Sequence, residues 1–297
     1  MTTLPLFALT VLIWGTTWIA ITFQIGPVDI FVSVFHRFAL AGALFLAGLA
    51  LLGRLRWPAT WRFVLAQAFC LFSLNFLCFY QATTLMPSGL VSVIFSLATI
   101  LNALNARWIF GDAIRARVVL AGVVGAGGLV LMFWEDIAIS PDWGVIQGIG
   151  WASIGTMLFS LGNMMSRKNT AHGVTPITAN AWGMGIGASV LLAVILWRGV
   201  EITLPLTPSY LGALFYLSVI GSIAGFTAYL SLVARIGSDR AAYATVLFPV
   251  IALMLSSLFE GFVWQPAALV GLALTMLGNV IMFSDGLMTK LRRPGRA

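Results

Sequence analysis

Residues 88–110 read SGLVSVIFSLATILNALNARWIF, and Gly111-Asp112 closes them. Nineteen residues pass before the first charge, Arg107. The run is continuously apolar and does not alternate, which argues against a strand of a β-barrel. Its length matches the roughly 20 residues that a helix needs to cross the hydrocarbon core of a bilayer. In that medium a backbone group left unpaired is costly, so the segment is expected to be an α-helix, which pairs its own N–H and C=O groups.

The rest of the chain follows the same rule. Of 297 residues, 60% are hydrophobic and 8% charged, a mixture that cannot cover a water-soluble surface. Short charged clusters separate ten apolar runs: Leu4–Ile25, Ile30–Leu52, Trp61–Thr84, Ser88–Phe110, Ala116–Trp134, Trp143–Ser166, Thr175–Trp197, Pro208–Ala234, Arg240–Phe259 and Pro266–Ser284. Turn chemistry lies between them, as at Gly26-Pro27, Pro87-Ser88-Gly89 and Ser140-Pro141-Asp142. The expected fold class is an all-α membrane protein with ten transmembrane helices.

With the N-terminus placed in the cytoplasm, fourteen of the sixteen basic residues fall on the inner side, and only Arg37 and Arg198 do not. The positive-inside rule therefore predicts that both termini are cytoplasmic. Asp29, Glu135, Asp136, Asp142, Glu201 and Glu260 fall outside; Asp112, Asp239 and Asp285 fall inside. The net charge of +7 is spread over every inner loop, which suits anionic lipid rather than nucleic acid. The first run lacks a cleavage pattern and is read as a retained span. Cys70 and Cys78 lie eight apart on one helix, ~12 Å along its axis, too far for a disulfide.

The second half echoes the first. Ser88 to Phe133 reads as a helix, an acidic turn and a Gly-rich helix, and Asp239 to Phe283 reads the same way at an offset near 149. Phe110-Gly111-Asp112 corresponds to Leu258-Phe259-Glu260. Five spans per half is an odd number, so the copies are expected to face opposite ways, as two inverted five-helix repeats with a substrate site between them near the midplane. The boundary is expected at 137/138: residues 1–137 form the first repeat, and 138–297 form the second with a basic cytoplasmic tail.

This arrangement, together with Leu12-Ile13-Trp14-Gly15 in the opening span and Phe79-Tyr80-Gln81-Ala82-Thr83-Thr84-Leu85-Met86-Pro87-Ser88-Gly89 at the third-to-fourth junction, resembles the EamA type of the drug/metabolite transporter superfamily. The resemblance covers essentially the whole chain and is greatest to members that export aromatic amino acids. It implies a multi-pass transporter of a bacterial inner membrane. The chain departs from the family in having Gly111-Asp112 where Gly-Glu is common, at a turn read as a helix cap.

Several chemistries are disfavoured. His36 and His172 are the only histidines, and no His/Cys/Asp/Glu set has metal-ligand spacing, so no metal or cofactor is expected. There is no phosphate-cradling Gly-x-x-x-x-Gly-Lys-Ser/Thr, which argues against ATP-driven pumping by this chain, and no motif for an intramembrane enzyme. No acid lies in the middle of a span, which argues against cationic drugs and against proton coupling through a carboxylate. Arg37 and His36 are read as snorkelling and interhelical bonding respectively, with anchorage of a substrate carboxylate as the alternative.

Seven residues are expected to line a central cavity: Trp14, Asn75, Phe79, Tyr80, Ser96, Trp151 and Tyr229. Each lies well inside its span and carries a ring, a hydrogen-bonding group or both. Trp14 and Trp151 are matched across the repeats by depth. Polar residues in this position also suit plain interhelical bonding. Pro249 removes a helix hydrogen bond in mid-span and is the expected gating point. The expected function is export of aromatic or other neutral amino acids, or related metabolites, by alternating access and down the substrate gradient. Its expected partners are the small-molecule substrate and membrane lipid, with no nucleic acid, and the protein is expected to be a monomer. The alternatives are a carrier of lipids, nucleotide sugars or drugs, and a non-transporting signalling or scaffold protein.

Overall fold

The computed structural model describes residues 3–114, 116–139, 141–229 and 244–283. All regular structure among them is helical. The long elements are α1 (Thr3–Thr22), α2 (Ile30–Leu51), α3 (Arg62–Thr83), α4 (Ser88–Phe110), α5 (Ala116–Met132), α6 (Trp143–Ala171), α7 (Pro176–Arg198), α8 (Pro208–Tyr229), α9 (Ala244–Phe259) and α10 (Pro266–Phe283). Among the described residues seven helices, α1 to α4 and α6 to α8, are long and apolar enough to cross a membrane; α5, α9 and α10 contribute shorter apolar stretches. Tyr243, the turn at Asp239 and the tail from Lys290 lie outside the described residues.

The helix ends follow from local chemistry. Asp29 caps α2 by accepting from Phe31 N at 2.8 Å, and Asp142 caps α6 by accepting from Gly144 N at 2.8 Å. Thr175 caps α7, whose first residue is Pro176. Helix α6 runs to Ala171, past the expected end at Ser166, because Asn169 near its end is buried and donates to Gln67 Oε1 at 2.9 Å. Near that end Arg167 pairs with Asp112 at 2.6 Å, and its hydrogen bond holds the exposed carboxyl below the usual range.

Backbone landmarks recur along the chain. Positive φ occurs only at glycines among the described residues, and they fall into pairs about 150 positions apart: Gly26 with Gly173, Gly53 with Gly199, and Gly111 with Gly261, which corrects the expected match of Gly111 to Phe259 and of Asp112 to Glu260. Helices α3 and α8 each contain a π-helical stretch, Cys70–Leu74 and Tyr216–Ala224, at the same offset. Packing repeats too: α5 lies along α10, α2 along α7, and the first half of α4 along α9, while α1 packs on α9 as α6 packs on α4. The α5–α10 seam is built on glycine. A Cβ on Gly271 would stand 2.6 Å from Gly128 O, and one on Gly278 would stand 2.7 Å from Ala121 O, so the backbones touch where no side chain fits.

At the end of the bundle that carries Glu135, Asp142 and Phe262, one carboxylate joins the halves. Glu260, just beyond α9, accepts from Ser88 N at 3.0 and 3.1 Å and from Ser88 Oγ at 2.7 Å. Ser256 donates to the same carboxylate and accepts from Gly89 N at 2.8 Å. Helix α4 is thus capped by a residue of another helix.

Candidate functional site

The central cavity lies where α1, α2, α3, α4, α6 and α8 converge, a narrow space of about 50 Å³. Its walls are aromatic. Trp18 meets Phe79 at 5.4 Å and Phe95 at 5.5 Å; Phe95 meets Phe159 at 4.6 Å; Trp14 meets Phe226 at 5.8 Å. These edge-to-face and tilted arrangements are the ones the ring quadrupoles favour. Small residues make room for the rings. A Cβ on Gly155 would meet the Phe79 ring at 2.7 Å, and one on Gly225 would meet Trp14 Nε1 at 2.9 Å.

Three polar residues, Thr17, Asn75 and Arg37, line this apolar space; the Thr17 hydroxyl donates to Trp14 O at 2.9 Å. Asn75 follows directly on the first π-helical stretch and is fully buried, yet neither Nδ2 nor Oδ1 has a hydrogen-bond partner among the described residues. The wider turn re-aims the residues after it, a recurrent device at functional sites. Arg37 on α2 is 3% exposed. Serines of the second π-helical stretch grip it: Ser218 donates to its backbone carbonyl at 2.9 Å, and its Nε donates to Ser222 Oγ at 3.2 Å. The guanidinium stands 4.3 Å from the centre of the Phe76 ring. Its Nη1 has no partner among the described residues.

A polar chain leads away from the cavity. The Tyr80 hydroxyl, within electrostatic reach of the Arg37 guanidinium, donates to Gln24 Oε1 at 2.6 Å. Ser33 Oγ donates to Gln24 O at 2.8 Å and lies 3.2 Å from the Tyr210 hydroxyl, which stands 2.9 Å from His36 Nδ1.

The structure brings together Trp14, Asn75 and Phe79 at the cavity wall. Tyr229 packs tilted behind Trp14 at 4.9 Å, among Leu6, Phe7 and Ala228, and Tyr80 is fully buried in the chain just described. Ser96 accepts from Asn279 Nδ2 at 3.2 Å and joins α4 to α10 instead of the cavity. Trp151 corrects the expectation most clearly. It is 41% exposed on the outside of α6, because the glycine pairs match it to position 4 and not to Trp14. Pro249 lies buried inside α9. Arg37 also departs from its expectation: it is held inside and does not reach the surface. Trp18, Phe95 and Phe226 are wall residues that the sequence reading did not single out as site members.

A second space lies at the acidic end, lined by Pro87, Glu135, Asp136, Asp142 and Phe262, and shares no lining residue with the first. Burial, with Asp142 and Glu135 adding to it, pushes the Asp136 carboxyl up. No group of three or more His, Cys, Asp or Glu that could hold a metal occurs among the described residues.

Comparison with known proteins gives consistent results. The model of the EamA-like transporter family matches residues 1–134 and 146–284. Protein PecM of Dickeya dadantii is 26% identical over 286 residues, covering 92% of this chain and 91% of its own. The uncharacterized transporter YvbV of Bacillus subtilis is 26% identical over 267 residues, 86% of this chain and 82% of its own. A solved crystal structure superposes with a TM-score of 0.69 over 98% of this chain and 99% of that one, at 19% identity, a likeness of fold alone.

Proposed function

The chain belongs to the EamA-like transporter family, and from that premise we propose that this multi-pass membrane protein exports aromatic and other neutral amino acids, or related metabolites. The observation that carries the reading is the aromatic-walled cavity between the two halves of the chain, with the unpartnered Asn75 amide inside it. Rings from α1, α3, α4 and α8 offer faces and edges to an aromatic side chain, and the amide offers a donor and an acceptor to its polar end. The residues we assign to substrate are Trp14, Asn75 and Phe79, with Tyr80 and Tyr229 behind them.

The proposed transport route is alternating access by ten crossings in two inverted repeats, residues 1–137 and 138–297, in a bacterial inner membrane with both termini cytoplasmic. The paired glycines and the paired π-helical stretches support the duplication. Pro249 gives α9 a bending point, and a monomer suffices for the route. Counterflow in proteoliposomes with a panel of labelled amino acids tests the reading. Exchange of labelled phenylalanine or tryptophan well above empty liposomes is expected; no exchange of any amino acid would overturn it.

A further inference from the structure

The central cavity contains one formal charge, and none of its lining residues opposes that charge. Arg37 lines it, and no Asp or Glu does. Arg37 is also not free to leave: its carbonyl is bonded to Ser218, its Nε to Ser222, and its plane lies over Phe76. The Tyr80 hydroxyl also bonds the guanidinium, and Nη1 stays buried and without a partner among the described residues. Burying a cation without a counter-ion is unfavourable unless an anion completes the site. The Phe76 ring offsets only part of that, because a ring quadrupole is weaker than a carboxylate. Gly221 lets α1 pack close beside Arg37: a Cβ there would stand 2.7 Å from Thr17 Cγ2.

Asn75 adds a second polar contact to the same wall. Its Nδ2 is an unpartnered donor and its Oδ1 an unpartnered acceptor on the same cavity. The one fixed charge among the lining residues is positive. An ammonium group entering this space would meet two neutral acceptors, Asn75 Oδ1 and the Thr17 hydroxyl, and the faces of rings, beside a guanidinium of its own sign.

We infer that the cavity demands a carboxylate and dispenses with the amine: its ligand class is the aromatic monocarboxylate, with Arg37 Nη1 and Asn75 Nδ2 donating to the carboxylate oxygens. This rests on the reading of the cavity as the transport site and narrows what it selects. An α-amino group is tolerated, at Asn75 Oδ1, and is not required. Aryl carboxylates without an amino group are ligands in their own right.

The test uses the full-length protein in lipid nanodiscs and three ligands of one shape: 3-phenylpropionate, phenylalanine and phenethylamine. Binding is read by calorimetry, and competition by counterflow of whichever of the three is exchanged. 3-Phenylpropionate and phenylalanine are expected to bind, and phenethylamine at least about tenfold more weakly. Arg37→Gln should weaken 3-phenylpropionate by roughly 10- to 150-fold, the range for losing a charge-assisted hydrogen bond, with Arg37→Lys in between. If Arg37→Gln does not fold, the wild-type panel and Asn75→Ala, expected to weaken the acid several-fold, decide. Phenethylamine binding as tightly as the acid, binding of none of the three, or an Arg37→Gln protein that binds the acid unchanged would each overturn the inference. Arg37-dependent binding of the acid with no amino-acid exchange would support the inference and count against amino-acid export. Exchange of phenylalanine that Arg37→Gln leaves unchanged, with phenethylamine exchanged as well as the acid, would count against the inference and leave amino-acid export standing.

Discussion

Replacing Glu260 should open the acidic end of the bundle. In the structure this carboxylate accepts from Ser88 N, Ser88 Oγ and Ser256, and it sits at the positive end of the α4 helix dipole. Charge-assisted hydrogen bonds contribute about 1.5–3 kcal/mol each when buried, and less where water can replace the lost acceptor. The site is only half-buried, so we take about 3 kcal/mol for the set rather than the sum of its members. The contact exists only while α4 and α9 stand together, so its loss acts on the closed arrangement alone. At about 1.4 kcal/mol per tenfold, Glu260→Ala raises the open fraction roughly 100-fold until it saturates. Glu260→Gln keeps one acceptor and should raise it roughly tenfold. The assay is alkylation of a single cysteine at Thr17, on the cavity wall, in a background with Cys70 and Cys78 replaced by Ala. A membrane-impermeant maleimide is added on the acidic side. Rates within twofold of the parent for both variants, in protein that stays monodisperse, would refute the reasoning.

Three further outcomes are expected. Asp136→Asn should raise the melting temperature near neutral pH: the folded carboxyl is pushed up, so stability falls as pH rises from the ordinary carboxylate value of about 3.9 through the folded one, and the gain should vanish below that window in a pH series of melts. Gly271→Val forces a side chain into backbone atoms of α5 and should cost about 1–3 kcal/mol in a detergent melt, whereas Gly127→Val, with nothing within 4 Å, should be neutral. Trp14→Ala should lower counterflow severalfold, while Trp151→Ala, on the exposed face of α6, should behave like Trp264→Ala at equal protein level.

Much of the architecture could be read from composition, because lipid imposes one backbone solution and leaves apolar runs as its signature. Asn75, Phe79 and Trp14 were recoverable from depth and chemistry. Arg37 was harder. A charge near a span end ordinarily reaches out to water, and nothing local to residue 37 says that Ser218 and Ser222, about 180 positions later, will hold it. Those serines themselves look like ordinary helix residues; the π-helical turn that aims them has no simple sequence mark. Trp151 misled because depth in a span was used for register, and α6 is 29 residues long where α1 is 20. Ser96 had the right depth and the wrong face, since a lone hydroxyl serves a helix contact as readily as a ligand.

The glycine seam between α5 and α10 restricts how this molecule can deform. Two helices in backbone contact at Gly128, Gly271 and Gly278 have no side-chain layer between them to shear or repack. They behave as one beam. Under the proposed alternating access, a rearrangement that opens the cavity would be taken up by the helices that meet through rings and serines, whose contacts can slide by a rotamer, with the beam as the stationary frame against which that displacement is measured.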